Sequence, residues 1–347
     1  MSAKTGMWLL LLLAVFPAFV QAGCSLKSGS TVKATDSIDI STLLTTQSSY
    51  AETRTGTWQI PVGCFALTFS NAVHFVSPIK NGFYVKFTNV AGATRWIKFQ
   101  TSGYTDVVNY GNGDTTLSGG NLSYTLTATL LAADPGITDT KYYTVTESGT
   151  ATIVPMVLHN ANIFGAIPSV DTAAGVVASG SWNNDYLGYQ SLTVTFKPQE
   201  TTCEMPNQTV TLPRVSLTDL QDGRDDGHTA VELPISCSNT LAGVTTRAVS
   251  AWLTSTDLVD SNRQIMRNSS SSSSGVGIVL STSAALPVTL SDSTTSGSGA
   301  TSLLTISSGT GLKDSAINLS AAYKLYDKSS FRPGTVVATA TLYFNYD

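Results

Sequence analysis

The sequence predicts an all-β protein built as two β-sandwich domains. Three observations carry that prediction: short runs with a period of two recur along the chain, turn clusters separate them, and helical periodicity is almost absent. The runs are Phe83–Phe87, Leu122–Ala128, Tyr142–Thr146, Leu192–Phe196, Val210–Leu212, Val231–Ile235 and Gly277–Leu280. Between them stand Asn81-Gly82, Asn112-Gly113-Asp114, Asp134-Pro135-Gly136 and Asp222-Gly223, residue pairs that accept left-handed or tight-turn backbone. Many short strands between regular turn signals are the pattern of sandwiches, in which each strand buries one face.

At the N-terminus, Lys4 precedes an apolar run from Met7 to Val15, then Pro17, then Val20-Gln21-Ala22 with small residues where a signal peptidase reads. Residues 1–22 are therefore expected to be a secretory signal, too short to span a membrane. The 347-residue chain has 19 basic and 23 acidic residues, a net charge of −4, and only 12% charged residues. Without a basic run, nucleic acid and anionic membrane surfaces are not expected partners.

Export makes the four cysteines a disulfide framework. Four cysteines allow three connectivities; pairing neighbours within each half gives Cys24–Cys64 and Cys203–Cys237, one bridge per domain. No Cys-x-x-Cys and no clustered histidine supports a metal site. The boundary is placed at Lys197–Thr202, which carries Pro198, follows a strand and precedes the second cysteine pair. That gives domains at 23–199 and 200–347. Within the second, Asn268 with six following serines reads as a flexible surface loop, and Asp219–Asp226 as a solvated one that fails calcium-ligand spacing. The Asn-x-Ser/Thr triplets at Asn121, Asn207, Asn268 and Asn318 carry no further weight.

The last predicted strand is the most regular. After Gly334, the positions Val336, Ala338, Ala340, Leu342, Phe344 and Tyr346 share one parity, and Thr335, Thr339, Thr341 and Asn345 the other, with Val337 and Tyr343 as exceptions. A strand this apolar at the end of the chain is expected to be covered by a partner, because an unpaired edge invites strand addition.

The second half resembles a chaperone–usher fimbrial subunit. The resemblance is carried by Thr202–Pro213 around Cys203, Val231–Cys237, Gly275–Leu280 and the terminal strand, where Gly334 stands fourteen residues from the end and Tyr346 is penultimate. It implies an immunoglobulin-like sandwich lacking its seventh strand. A periplasmic chaperone would lend a strand beside Gly334, Val336, Ala338, Ala340, Leu342, Phe344 and Tyr346, with Asp347 against basic residues of the chaperone cleft. An outer-membrane usher would then exchange that strand for the N-terminal donor strand of the next subunit.

A shaft subunit needs a free donor strand ahead of its first cysteine. Leu192, Val194 and Phe196 alternate suitably but read as the last strand of the upstream domain, and the mature chain is expected to start beside Cys24. The arrangement resembles a two-domain tip adhesin of the type 1 fimbrial kind, exported through the periplasm to the fimbrium tip. It departs from that family's mannose-binding members, which carry Asn-Asp-Tyr after the second cysteine where this chain has Phe65-Ala66-Leu67.

The expected function is attachment through a host glycan or glycoprotein; the alternative is a structural tip or adaptor subunit that contacts protein. Lectin sites combine an aromatic platform with amides and carboxylates on loops. Trp182, Asn183, Asn184, Asp185 and Tyr186 form the leading candidate, with Trp182 or Tyr186 stacking on a sugar. Tyr104–Asp114 is the second candidate, while Trp58 and Trp96 are assigned to the core. No catalytic residue, cofactor or metal is expected: His74, His159 and His228 stand outside any motif, and Gly119-Gly120 is not a phosphate loop.

Overall fold

The computed structural model describes residues 23–27, 29–65, 71–90, 93–160, 167–259, 261–270, 272–311 and 315–346. The expected signal at 1–22, Ala66 and Leu67 after the second cysteine, and Asp347 lie outside them. The protein is all-β and divides into two compact units between Lys197 and Pro198, slightly ahead of the expected boundary.

Among the described residues the first unit holds thirteen strands: β1 (Gly23–Leu26), β2 (Val32–Asp39), β3 (Ser49–Thr55), β4 (Gln59–Phe65), β5 (Asn71–Val76), β6 (Phe83–Val90), β7 (Ala93–Ser102), β8 (Val107–Tyr110), β9 (Gly113–Ser118), β10 (Ser123–Leu131), β11 (Tyr143–Thr146), β12 (Thr150–Asn160) and β13 (Tyr186–Thr195). Two five-stranded sheets, ordered β11-β6-β7-β10-β3 and β2-β13-β12-β5-β8, are joined by a three-stranded sheet, β1-β4-β9. Alternation sets the inward faces: Tyr124, Leu126 and Ala128 of β10 are buried while the intervening threonines are not. β12 is buried over most of its length; besides the residues it turns to the core, its Val154 and Val157 cluster with Ala173 of the helix at Val170–Ser179. Across the sandwich Phe87 meets Phe196, ring centroids 5.2 Å apart. Trp58 and Trp96 are 1% and 7% exposed, in keeping with their assignment to the core. Cys24 is bridged to Cys64 between β1 and β4.

One element of this unit runs against the sequence reading. Residues Val170–Ser179 form a ten-residue helix, α1. Its signal lies in its ends: Ser169 Oγ accepts from Thr172 N at 3.1 Å, and Gly180 takes the left-handed conformation that closes the helix. Ala173 is buried and Val176 and Val177 pack on the same cluster, an i, i+3, i+4 face that the sequence reading misses because it spans a single short helix.

The second unit contains β14 (Thr202–Glu204), β15 (Thr229–Ser238), β16 (Val249–Thr254), β17 (Ile265–Arg267), β18 (Val276–Thr282), β19 (Leu304–Ile306), β20 (Ser315–Leu325) and β21 (Thr341–Tyr346). They form sheets ordered β14-β15-β20-β18-β17 and β19-β16-β21, with Cys203 bridged to Cys237 across β14 and β15. Val231, Leu233, Ile235, Leu253, Met266, Leu280, Ile317 and Leu319 make its core.

Three expectations are corrected here. Val210–Leu212 is not a strand; residues 205–216 pair with no ladder and cross the open side of the core. The acidic stretch is not simply a loop, since Leu217–Asp222 forms a short helix, α2, capped by Ser216, which accepts from Asp219 N at 3.1 Å, and by left-handed Gly223. The serine patch is not a detached loop; its bonds to the C-terminal segment are described below.

Candidate functional site

In the second unit the predicted terminal strand forms a ladder only over Thr341–Tyr346, where it pairs antiparallel with β16 from Thr254↔Thr341 to Val249↔Tyr346. Among the described residues its other edge carries no strand, because β21 ends its sheet. Residues 335–340 continue toward it without a ladder, held by the serine patch. Thr335 N donates to Ser272 Oγ at 2.9 Å, Val337 N to Asn268 Oδ1 at 2.8 Å, and Val337 O accepts from Ser269 N at 2.7 Å. Thr339 O accepts from Ser255 Oγ at 3.0 Å. In extended chain, successive residues turn their backbone groups to opposite edges. The odd positions 335, 337 and 339 are thus pinned, and Val336, Ala338 and Ala340 turn theirs the other way.

The side chains show the expected parity. Val336, Ala338, Ala340, Leu342, Phe344 and Tyr346 are half-buried, and the odd positions are exposed apart from Tyr343. Half-burial is the informative part, because an apolar face inside a closed sandwich would be fully covered. A groove of about 1090 Å³ runs beside this segment. Val210, Leu212 and Val215 form its far wall, Val231, Ile278, Leu280 and Ala321 its floor, and Val336, Ala338 and Ala340 its near wall. A smaller hollow of about 420 Å³ extends it along Leu342 and Phe344.

Gly334 and Tyr346 have distinct duties. A Cβ on Gly334 would overlap the Ser272 carbonyl oxygen and stand 2.5 Å from its carbon, so only glycine lets the segment lie against the serine patch. Tyr346 does not line the groove. Its hydroxyl accepts from Cys203 N at 2.8 Å and donates to Cys203 O at 3.2 Å, and the Arg247 guanidinium covers its ring at 4.0 Å. Arg247 in turn binds Glu200 at 2.7 Å and Thr201 O at 2.8 Å. The penultimate tyrosine thus fastens β21 to the disulfide. Sequence reading missed Asn268, Ser269 and Ser272 as fasteners; the only hint was an amide placed at the start of a hydroxyl run.

In the first unit, the five residues of the leading receptor candidate occupy the turn before β13 and the start of that strand. Asn183 and Asn184 are exposed, but Asn183 Oδ1 accepts from Asp185 N at 3.0 Å, ordinary turn chemistry. Tyr186 is 3% exposed and has no free face, which corrects its assignment as a stacking platform. Trp182 is half-buried, stacked on Tyr189 at 4.4 Å and packed edge-on against Tyr186 at 5.4 Å. Of the second candidate, Tyr104 accepts from Ser77 N at 3.4 Å, Asn112 Oδ1 accepts from Asn71 at 2.6 Å, and Asp114 pairs with Lys27.

Beneath the first candidate lies a pair of histidines. His159 on β12 stands opposite His74 on β5 and packs edge-on against Tyr186 at 5.0 Å. Burial holds the pKa of His159 below its ordinary 6.5, with nearby Asp185 pulling it back up and His74 adding to the depression. Burial likewise lowers His74, opposed by Asp106. The unfolded chain therefore binds protons that the folded chain refuses, so the contribution to stability is complete above pH 6.5 and lost as pH falls below it. The thermal midpoint of the first unit should fall between pH 7.5 and pH 5, with a shallower fall in His159→Gln. An equally steep fall in the variant would show that the histidine does not carry the effect.

Residues 190–347 match the family model described as fimbrial protein. The match spans the whole second unit, including both of its cysteines, Gly334 and the terminal strand, on which the resemblance rests. The chain is 28% identical over 167 residues to the fimbrial-like protein YehA of Escherichia coli (strain K12), a match covering 45% of this chain and 47% of the relative. The chain thus spans about half the length of the curated relative it matches. Among solved structures it is similar to the CupB6 tip adhesin from Pseudomonas aeruginosa, with 17% identity, TM-score 0.39, and 94% of this chain and 95% of that one covered. It is also similar to a chain of the CsuC–CsuE chaperone–tip adhesion subunit pre-assembly complex of Acinetobacter baumannii, at 13% identity and TM-score 0.27, covering 93% and 99%.

Proposed function

We propose that the protein is a two-domain fimbrial tip adhesin: the second unit enters the fibre by accepting a strand, and the first binds a carbohydrate or glycoconjugate on a host surface. The observation that carries the reading is the groove beside β21. It combines a bare strand edge, an apolar floor and a wall whose even-numbered backbone groups turn outward, which is what an added strand with alternate apolar side chains requires. A periplasmic chaperone, then a neighbouring subunit delivered at an outer-membrane usher, would each supply that strand.

The tip position is supported by the segment just ahead of Cys203. The fimbrial family match begins at Gln190, inside β13, and β13 is locked between β12 and β2 of the first unit. Leu192, Val194 and Phe196 are fully buried there. Releasing them as a donor strand for a neighbour would open the core of the first unit, at about 1.5–3 kcal/mol for each large apolar side chain exposed.

A synthetic peptide with apolar residues at alternate positions tests the strand-accepting half. A ligand that binds only the folded state stabilises by RT ln(1 + [L]/Kd), about 2.7 kcal/mol at a hundredfold excess over Kd. The unfolding transition of the second unit should therefore rise by several degrees in the full chain. No rise at saturating peptide would mean that the sandwich is already closed. Retention of the peptide-filled full chain on a glycan array tests the carbohydrate half.

A further inference from the structure

We infer that the carbohydrate surface of the first unit is the outer face of the sheet formed by β11, β6 and β7, and that its ligand is a pyranose bearing an anionic group. The inference rests on the adhesin reading and gives it a location and a ligand class. On this sheet Val85, Phe87, Ile97 and Phe99 are fully buried, so the alternate positions Tyr84, Lys86 and Lys98 turn to the outer face, where Trp96 is buried beneath its neighbours and offers no ring face of its own.

The register assembles them into two adjacent rows. Tyr143 stands beside Tyr84, which stands opposite Lys98. In the next row Val145 stands beside Lys86, which stands opposite Trp96. The rows touch through Trp96 and Tyr143, whose ring centroids are 6.3 Å apart. Each lysine lies over a ring: Lys98 Nζ is 5.9 Å from the Tyr84 centroid and Lys86 Nζ 5.5 Å from that of Trp96. Gly82, in the turn that opens this edge, has φ +118°, backbone that favours glycine.

Charge identifies the occupant. The strands β6, β7, β10 and β11 contain no Asp or Glu. Asp139 and Asp171, beside the start of β11, are taken up by Lys141, whereas Lys86 and Lys98 pair with no carboxylate among the described residues. Glu147, one residue past β11 on the parity of Tyr143 and Val145, is the nearest carboxylate along that strand and forms no ion pair with either lysine. Two ammonium groups so placed beside half-exposed tyrosine rings complement a sugar whose C–H face stacks on an aromatic ring and whose carboxylate or sulfate takes charge-assisted hydrogen bonds. A neutral sugar would use the rings and leave both charges idle.

The test uses the full chain with its groove filled by a donor peptide, and three immobilised probes: sialyllactose, a heparin oligosaccharide and lactose. Binding to at least one anionic probe should exceed binding to lactose tenfold or more, and should weaken as salt rises from low to physiological strength. Which anionic probe binds separates carboxylate from sulfate. Lys86→Gln with Lys98→Gln should remove the preference and the salt dependence at unchanged thermal midpoint, and Lys86→Arg with Lys98→Arg should restore both. Equal binding to lactose, or full anionic binding by the glutamine variant, overturns the inference and leaves the adhesin reading standing. Silence on all three probes and on a broad neutral array removes both.

Discussion

Removing Thr341–Asp347 is expected to leave no folded second unit. The deletion strips β16 of one of its two neighbours, and Val249, Ala251 and Leu253 on that strand are at most 5% exposed in the intact protein. It also removes Leu342 and Phe344 from the core cluster and the two bonds by which Tyr346 holds Cys203. Burying a large apolar side chain contributes about 1.5–3 kcal/mol, against a total domain stability of about 5–15 kcal/mol. Losing a whole strand's worth exceeds what a unit with an already open groove can absorb. The level of soluble product and the second thermal transition should both vanish. Two point variants grade the effect: Phe344→Ala should lower the transition clearly, and Tyr346→Phe by less, since it removes only a hydroxyl with two partners. Normal accumulation of the truncated chain would mean that β21 does not hold the unit together, and the fibre-assembly reading would lose its base.

The parts of this architecture legible in the sequence were those written in a short period. The alternation of β10 and of the terminal strand, the turns at Asn81-Gly82 and Asp222-Gly223, and the apolar parity from Val336 to Phe344 need only local residues to be read. What escaped depends on distant partners. α1 is only ten residues long, and its signals are the caps Ser169 and Gly180 and the short face of Ala173, Val176 and Val177. Val210 and Leu212 alternate like a strand, yet no neighbour pairs with them, so they wall the groove. The serine patch has the composition of a linker, and its role appears only when Thr335 and Val337 are seen bonded to it. Tyr186 looked like a lectin aromatic because its turn is polar, but β13 turns its ring inward against His159. On the outer face of the β6–β7 pair, Lys86 and Lys98 alternate with core residues and become neighbours of rings only through cross-strand register.

Gly334→Ala should cost more donor-strand affinity than its single methyl group suggests. The φ angle of Gly334 is not positive, so the demand for glycine comes from proximity and not from torsion. Its ideal Cβ would meet backbone atoms only, including the Ser273 nitrogen at 3.0 Å, and no side-chain rotation can relieve that. The segment must move away from the patch, which breaks the bonds from Thr335 and Val337 to Ser272, Asn268 and Ser269. Overpacking of this kind costs about 1–3 kcal/mol. The cost reaches binding, because the pins on 335 and 337 are what turn Val336, Ala338 and Ala340 toward the groove. Donor-peptide affinity should fall at least tenfold, about 1.4 kcal/mol or more. Asn268→Ala, which removes the acceptor for Val337 N without adding bulk, should reproduce the loss of affinity in part. Gly223 supplies the control: its φ is +68° and nothing would meet its Cβ within 4 Å, so Gly223→Asn should leave affinity unchanged. If Gly334→Ala bound the peptide as tightly as the wild type, the groove's shape would not depend on the serine patch, and the terminal glycine would need another physical cause.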